Sequence, residues 1–328
     1  DDFDADPEDG NFSVDYNKET VEEGYARVYS SGFARHDEFA AEEEAALADG
    51  KRVWSASDFD ALDEIRNDES VLDDQVFVPR ASSVTSTNGP LPDDQVVLPA
   101  EVTAEQESLP DGDGFDNYDQ PPLVAMDDDN GVAMVGGVLL HERYEPGEGA
   151  GIEEADEPER YRNFALFTNV ADELSETTGD VIIEGGHAQF DIPGSVPLER
   201  VQFYLRYVEG LGGRLRQIND VVETLPAEDE TPRAVFLTAP DRPYTDDELN
   251  ALINYRNDGG AVVLVGSAAA PASARENLND VAAALETDLR LNDDQVVDGQ
   301  SNLAGVSEFP VSGAFDSDDP LFGPASLD

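Results

Sequence analysis

Four polar residues that follow two apolar segments are the strongest candidates for chemistry in this sequence. His187 comes shortly after one apolar run, with Glu184 and Gln189 on either side of it, and Ser267 follows a second run. If both runs are parallel strands of one sheet, the four residues lie at its carboxyl edge, where such sheets bind ligands. We predict a polar binding site made of Glu184, His187, Gln189 and Ser267.

His187 and Ser267 could also belong to a hydrolase. In a Ser–His–acid enzyme, the histidine removes the proton of the serine hydroxyl, which then attacks a carbonyl carbon. The residues around Ser267 do not form the Gly-x-Ser-x-Gly turn that exposes such a nucleophile. We therefore favour a His187 that fixes its loop by hydrogen bonding to the backbone, and we predict no catalytic residue. A hydrolase, or an accessory domain of one, that uses His187 with acidic neighbours and a metal ion is the alternative.

An acidic loop that contains glycine is the best candidate for a metal site. Asp111, Asp113, Asp116 and Asp119 could offer carboxylate oxygens to Ca²⁺, which prefers oxygen ligands. The glycines are misplaced for the EF-hand pattern, and acidic clusters arise freely in a chain with 74 acidic residues among 328. We favour a solvated loop. No cofactor is predicted, apart from Ca²⁺ or monovalent cations that acidic loops could hold.

The charge balance predicts a protein adapted to concentrated salt. The chain has 19 basic and 74 acidic residues, a formal charge of −55, and its lysines are Lys18 and Lys51 alone. Repulsion between so many carboxylates opposes a compact state at ordinary ionic strength. At roughly 1 M salt the Debye length falls to about 3 Å, so most of this repulsion is screened. Because 39% of residues are hydrophobic and occur in periodic blocks, we predict a folded halophilic protein from an archaeon, and we reject a disordered acidic tail.

Composition also excludes several classes of function. Without a basic stripe to neutralise phosphates, nucleic acid is not expected as a partner. No apolar run is long enough to cross a bilayer. The absence of cysteine excludes disulfides, thiolate zinc sites and cysteine nucleophiles.

The second half of the chain has the pattern of an α/β domain. Short apolar runs at 181–183, 233–238 and 261–265 alternate with helical patterns, one of which begins at the capping box Thr245 to Glu248. Continuous apolar runs are typical of strands that are buried on both faces of a parallel sheet. The alternation predicts a doubly wound, mainly parallel sheet.

The first half resembles a shortened copy of this pattern. We predict a helix at 42–47, a strand at 51–55, a helix from Ser57, and a β-hairpin turning at Asn130-Gly131. The same order of elements in both halves indicates an internal duplication. We predict an acidic leader at 1–10, a shortened or N-terminally truncated domain at 11–176, and a second domain at 177–328.

Several segments resemble the class I glutamine amidotransferase-like superfamily, in particular its non-catalytic members found with gliding-motility-type transporter subunits and in exported archaeal proteins. The resemblance rests on segments 181–190, 243–249, 255–264 and 302–315, and on 135–169 in the first half. It implies two tandem flavodoxin-like domains. The enzymes of this superfamily need a cysteine at a strand-to-helix turn, where this chain offers Ser267, so cysteine-dependent glutamine hydrolysis is excluded.

The resemblance implies a binding or assembly module, with a protein or a surface glycan as its partner. The chain starts at Asp1 without a methionine and has one glycosylation sequon at Asn11, so we expect an extracellular or cell-surface location after removal of a signal peptide. A purely structural extracellular subunit is a further alternative.

Overall fold

A computed structural model describes residues 15–28, 34–56, 67, 72–112, 114–141, 160–189, 192–196, 200–227 and 231–327. The α-helices of these residues are α1 (Tyr16–Glu22), α2 (His36–Ala48), α3 (Asn163–Glu173), α4 (Gln202–Gly210), α5 (Val221–Thr224), α6 (Asp246–Asn257) and α7 (Ala272–Ala284). In the described part of the chain, no helix is long and apolar enough to cross a membrane.

The strands fall into one large sheet and three small ones. They are β1 (Val76–Phe77), β2 (Val84–Ser86), β3 (Val96–Pro99), β4 (Ala104–Ser108), β5 (Pro122–Asp127), β6 (Val132–Val135), β7 (Val181–Glu184), β8 (Leu215–Ile218), β9 (Ala234–Thr238), β10 (Ala261–Val265), β11 (Leu289–Leu291), β12 (Asp294–Asp298) and β13 (Val311–Ser312). The large sheet has the order β3-β5-β6-β10-β9-β7-β8. Neighbouring strands are parallel from β6 through β10, β9 and β7 to β8. Strand β5 pairs antiparallel with both β3 and β6. The prediction of an α/β fold with a mainly parallel sheet is confirmed.

Both faces of the large sheet are covered, which is why its central strands are mostly apolar. Along β7, Val181 and Ile183 belong to one hydrophobic cluster, and Ile182 belongs to the other. The first cluster includes the apolar residues of α3 and α4, and the second includes those of α6 and α7. Successive side chains of a strand point to opposite faces, so a continuous apolar run fills both layers.

The two tandem domains predicted from the sequence are not confirmed. Strand β10 of the second half pairs in parallel with β6 of the first half, in the register Val262 to Val132 and Leu264 to Met134. The predicted boundary at 176/177 lies between α3 and β7, both of which contribute to the same hydrophobic cluster. The β5–β6 hairpin is confirmed, but the free edge of β6 carries backbone groups that need partners, and β10 supplies them. Among the described residues, strands of both halves therefore form one shared sheet.

The predicted internal duplication is likewise not confirmed. The strand predicted at 51–55 is instead a 3₁₀ helix, Arg52–Ala56, which follows α2. The sequence Asp-Asp-Gln-Val occurs at 73–76, at 93–96 and at 293–296. Its first copy ends in β1, which pairs with β13, and its last copy overlaps β12, which pairs with β4. The two copies therefore occupy different environments. The predicted leader at 1–10 and the helix from Ser57 lie outside the described residues.

Three small antiparallel pairs join distant parts of the chain. They are β1–β13, β2–β11 and β4–β12. Each joins a strand from before residue 110 to one from after residue 288. These pairs, like the large sheet, join segments of the first half of the chain to segments of the second half.

Candidate functional site

The predicted site lies at the ends of two neighbouring parallel strands whose following helices pack on opposite faces of the large sheet. Strands β7 and β9 are neighbours, but the helix after β7, α4, packs on one face and the helix after β9, α6, packs on the other. A crevice opens at the carboxyl ends of such a strand pair, and this is where doubly wound sheets bind ligands. Glu184 is the last residue of β7, and His187 and Gln189 follow in the next loop.

Glu184 is fully buried, and each of its two carboxylate oxygens accepts two hydrogen bonds. The Oε1 atom lies 2.5 Å from the backbone nitrogen of Gly186 and 3.0 Å from Nδ1 of His187. The Oε2 atom accepts from Nε2 of Gln189 at 2.9 Å and from the hydroxyl of Tyr244 at 2.6 Å. A buried carboxylate is tolerated only with such partners. Glu184 therefore has no oxygen left for a ligand.

His187 is held between two carboxylates and stacks on an aromatic ring. Its second ring nitrogen, Nε2, lies 3.4 Å from Oε1 of Glu248, and its ring lies 3.6 Å from that of Tyr244 at an angle of 20°. Burial lowers the pKa of His187, but the hydrogen bond and charge of Glu184, together with Glu248, outweigh this effect and raise the pKa above its usual 6.5. With both nitrogens facing carboxylates, the ring has no free nitrogen with which to remove a proton from a substrate.

The loop that carries His187 is joined to the loop after β9. The backbone nitrogens of Asp241 and Arg242 donate to the carbonyl of His187, and the Arg242 guanidinium donates to the carbonyl of Gly186. Ala188 has a φ of +59°, a left-handed conformation that is strained for a residue with a Cβ atom. The Gln189 side chain accepts from the backbone nitrogen of His187 at 2.9 Å and so closes the turn. These contacts give the carboxyl edge a defined shape.

Ser267 is buried and belongs to a different set of contacts. Its hydroxyl donates to the carbonyl of Arg80 at 3.1 Å and accepts from the backbone nitrogen of Ala269. Gly194, in the loop after β7, packs so closely that a Cβ atom there would lie 2.9 Å from the Cβ of Ser267. Within the described residues, no hydrogen bond joins Ser267 to His187. Of the four predicted binding residues, the structure brings Glu184, His187 and Gln189 together, and it places Ser267 apart from their network.

The acidic loop uses its carboxylates for contacts within the protein. Asp111 accepts from the backbone nitrogen of Ala272, at the start of α7, and pairs with the buried guanidinium of Arg275 at 3.3 Å. Asp116 accepts from the hydroxyl of Thr85 at 2.8 Å. Asp119 is exposed, and Asp113 lies outside the described residues. In the part of the chain that the structure describes, no three acidic, His or Cys residues form a group that could hold a metal ion.

Sequence reasoning missed two members of the His187 cluster. Glu248 was expected to cap α6, and its Oε2 atom does accept from the backbone nitrogen of Thr245, while Oε1 faces His187. Burial raises the pKa of Glu248, but hydrogen bonds from Thr245 and the charge of His187 outweigh it and lower the pKa below 4.5. Tyr244 immediately precedes this cap, and no spacing in the sequence connects it with a histidine 57 residues earlier.

A second buried carboxylate was also missed. Asp294, at the start of β12, is fully buried and accepts from the backbone nitrogen and the hydroxyl of Ser83, both at 2.8 Å, and from Nε2 of Gln106 at 2.6 Å. Burial raises the pKa of Asp294 above its usual 3.8, and the hydrogen bonds from Gln106 and Ser83 only partly offset this effect. The cluster connects β12 with β4 and with the residues before β2, so it stabilises the junction of the small sheets.

Comparisons with known proteins gave only weak structural similarity. No family model matches it, and no curated protein matches it. The fold is weakly similar to a structure described as the IMPa metallopeptidase from Pseudomonas aeruginosa, with a TM-score of 0.38 and 11% identity over 78% of this chain and 24% of that chain. It is also weakly similar to the structure of IMPa from Pseudomonas aeruginosa in complex with an O-glycopeptide, with a TM-score of 0.32 and 11% identity over 71% of this chain and 21% of that one. The chain thus spans about a quarter of the length of these proteins, and likeness at this level carries no argument about function.

Proposed function

We propose that the chain is a non-catalytic binding or assembly module of an exported, salt-adapted haloarchaeal protein. One observation carries this proposal: the groups that could perform chemistry at the carboxyl edge are engaged in internal contacts. Both ring nitrogens of His187 face carboxylates, and the hydroxyl of Ser267 donates to the Arg80 carbonyl. A Ser–His hydrolase needs a histidine nitrogen that can accept the serine proton. Neither group is available for that step.

The resemblance to non-catalytic amidotransferase-like proteins agrees with this proposal. The chain contains no cysteine, so the nucleophile of the enzymes is missing. The formal charge of −55 supports the salt-adapted part, because such a chain is compact only where its carboxylates are screened. Membership of that superfamily and an extracellular location are parts of the proposal.

The partner, a protein or a surface glycan, would contact the loop that the His187 cluster supports. Asp241, Arg242 and Pro243 are exposed, while Tyr244, the next residue, is buried against His187. Surface loops held by a rigid scaffold are common sites of recognition. In this proposal, Glu184, His187 and Gln189 shape the contact surface from below and do not touch the partner.

Hydrolase activity is the outcome that would overturn the proposal. Wild type, His187→Ala and Ser267→Ala would be incubated in molar salt with nitrophenyl esters, nitrophenyl glycosides and a fluorogenic peptide mixture, with and without Mn²⁺ or Ca²⁺. We expect no turnover above that of buffer. Turnover that His187→Ala abolishes, and that the control Asp247→Asn on the exposed first turn of α6 retains, would establish the hydrolase instead.

Binding would be measured on an array of neutral and acidic oligosaccharides in the same salt. Arg242→Ala removes an exposed side chain that also donates to the Gly186 carbonyl, so we expect it to weaken binding by roughly tenfold or more and to lower the unfolding midpoint less than His187→Ala does. His187→Ala should reduce binding and lower the midpoint together, because it acts through the fold. If neither change affects oligosaccharide binding, the contact surface lies elsewhere. If no oligosaccharide binds, the proposed partner is a protein and not a glycan.

A further inference from the structure

The ring of His187 lies between two parts of the carboxyl edge that follow different strands. On one side, Nδ1 lies 3.0 Å from Oε1 of Glu184, the last residue of β7. On the other side, Nε2 lies 3.4 Å from Oε1 of Glu248, in the first turn of α6, the helix that follows β9. The ring therefore connects the loop after β7 with the beginning of α6.

Only the doubly protonated ring satisfies both of these contacts. An imidazolium donates from both nitrogens, whereas a neutral imidazole has one donor and one acceptor. Glu184 also accepts from the hydroxyl of Tyr244. Glu248 also accepts from the backbone nitrogen of Thr245. Both carboxylates are thus arranged as acceptors, so a neutral ring turns a lone pair towards one of them, and the two acceptors repel each other.

The contact with Glu248 is the one that a neutral ring loses. Its distance of 3.4 Å is longer than the 3.0 Å to Glu184. The Glu248 side chain is 27% exposed, whereas that of Glu184 is fully buried. Glu248 can turn its Oε1 atom towards water, and Glu184 has no such alternative. Loss of the second proton therefore separates the ring from α6 and leaves the Glu184 network in place.

The other ionisable groups around the ring come from the loop before α6 and from α6 itself. Tyr244 stacks on the ring, and burial together with the charge of Glu184 raises its pKa well above 10. The pKa of Glu248 lies below 4.5, because its hydrogen bonds in the capping box outweigh its burial. Asp241 and Arg242 are exposed charged residues, and arginine is not deprotonated in proteins. Above pH 6.5, the change of charge at this contact therefore comes from the ring.

We propose that His187 is a proton-dependent clamp on the exposed surface formed by residues 241–243. While both ring nitrogens carry a proton, the ring joins the loop after β7 to α6 and holds this surface in one conformation. When the ring is neutral, the contact with Glu248 opens and the surface loosens, although the backbone bonds from Asp241 and Arg242 to the His187 carbonyl remain. The clamp rests on this geometry alone, whereas its effect on a partner rests on the function proposed above.

Amide hydrogen exchange of the full chain in molar salt, from about pH 6 to about pH 9.5, tests the clamp. Each rate is divided by that of an unstructured peptide at the same pH, and NMR of the His187 ring follows its protonation. We expect protection of the Asp241, Arg242 and Thr245 amides to fall by about threefold to tenfold as the ring loses its proton. This is the size expected for a hydrogen bond to a charged group at a partly exposed site. Amides of β10 should keep their protection, because the opening is local.

Glu248→Gln is the most informative variant. Glutamine can still serve in the capping box, with its oxygen accepting from Thr245. Its amide group then offers a donor to Nε2 of His187, which suits a neutral ring. The variant should therefore stay closed at the alkaline end of the range and lose the fall in protection. Asp247→Asn makes the same charge change on the exposed first turn of α6 and should keep the fall.

Two results would overturn the clamp. If protection in the wild type stays constant over the whole range, the proton of the ring does not hold the loop. If protection falls equally in the wild type and in Glu248→Gln, the fall comes from a different group.

The effect on a partner is measured separately, with the same oligosaccharide array over the same range of pH. If the clamp governs the contact surface, wild-type binding weakens where the amides lose protection, and binding by Glu248→Gln stays constant. Binding that ignores pH while the amides lose protection would overturn this regulation. Loss of protection without oligosaccharide binding at any pH would refute the glycan partner alone, and the clamp would stand.

Discussion

Glu184 and Asp294 are both fully buried carboxyl groups, yet the protein stabilises them in different ways. Glu184 lies at the end of a parallel strand and faces His187, whose pKa is raised, so the cationic form of this partner is favoured. Among the described residues, the carboxyl group of Asp294 faces neutral donors of Ser83 and Gln106. The burial of the two carboxyl groups is therefore offset in different ways, by a partner that can carry a positive charge and by neutral hydrogen-bond donors.

The two regions also differ in what they support. The Glu184 cluster lies beneath an exposed loop at the edge where parallel sheets bind ligands, whereas the Asp294 cluster joins small sheets from distant parts of the chain. The first therefore shapes a surface, and the second holds the fold together. Changes at the two sites should consequently differ in size and in pH dependence.

The largest effect is expected for Glu184→Gln. The substitution removes a carboxyl group that faces the buried ring of His187, whose pKa is raised, and places an amide donor among four groups that donate. Breaking a buried pair by removing one partner destabilises by about 3–5 kcal/mol. Denaturant unfolding at constant molar salt measures the change. A loss below about 1 kcal/mol would mean that His187 is neutral in the folded protein.

A smaller effect is expected for Asp294→Asn. The amide keeps one acceptor oxygen, and the Ser83 hydroxyl can reverse its hydrogen bond. Gln106 loses its bond to Asp294 but keeps the Asp116 carbonyl as an acceptor at 2.9 Å. The loss of one hydrogen bond corresponds to about 0.5–1.5 kcal/mol. The same unfolding measurement applies. If this variant loses more stability than Glu184→Gln, the distinction between a charged and a neutral cluster is wrong.

The smallest effect is expected in the pH dependence of stability, which should distinguish the Glu184 cluster from the Asp294 cluster most clearly. Because the pKa of His187 is raised, its contribution is fully present below pH 6.5 and is lost as the pH rises through the folded-state pKa. Because the pKa of Glu248 is lowered, its contribution to stability is lost as the pH falls from 4.5 through the folded-state pKa. The cluster should therefore stabilise most between pH 4.5 and 6.5.

Asp294 behaves differently, because its raised pKa means that the folded protein favours the protonated acid. Its contribution is lost as the pH rises from 3.8 through the folded-state pKa. Unfolding free energies of wild type, His187→Gln and Asp294→Asn over this pH range separate the two contributions, at about 1.4 kcal/mol for each unit of difference in pKa. Difference curves of the same shape for both variants would contradict the comparison.

The elements of the second half could be predicted because their pattern is local. Strands β7, β9 and β10 coincide with continuous apolar runs, and the capping box of α6 is present as predicted. The strand predicted at 51–55 failed because its apolar residues are few, and Arg52–Ala56 forms a 3₁₀ helix after α2. The proximity of Glu184, His187 and Gln189 was predictable because Glu184 ends β7 and the other two follow in the next loop.

The sequence by itself determined the strongly acidic composition, the α/β class, the absence of cysteine and the position of His187 at the carboxyl edge. Only the tertiary structure decided that both halves share one sheet, that Tyr244 and Glu248 close around His187, and that Ser267 donates elsewhere. The physical reason is distance along the chain. Local patterns specify strands and caps, whereas strand order and the partners of a buried charge depend on which distant segments meet when the whole core is packed.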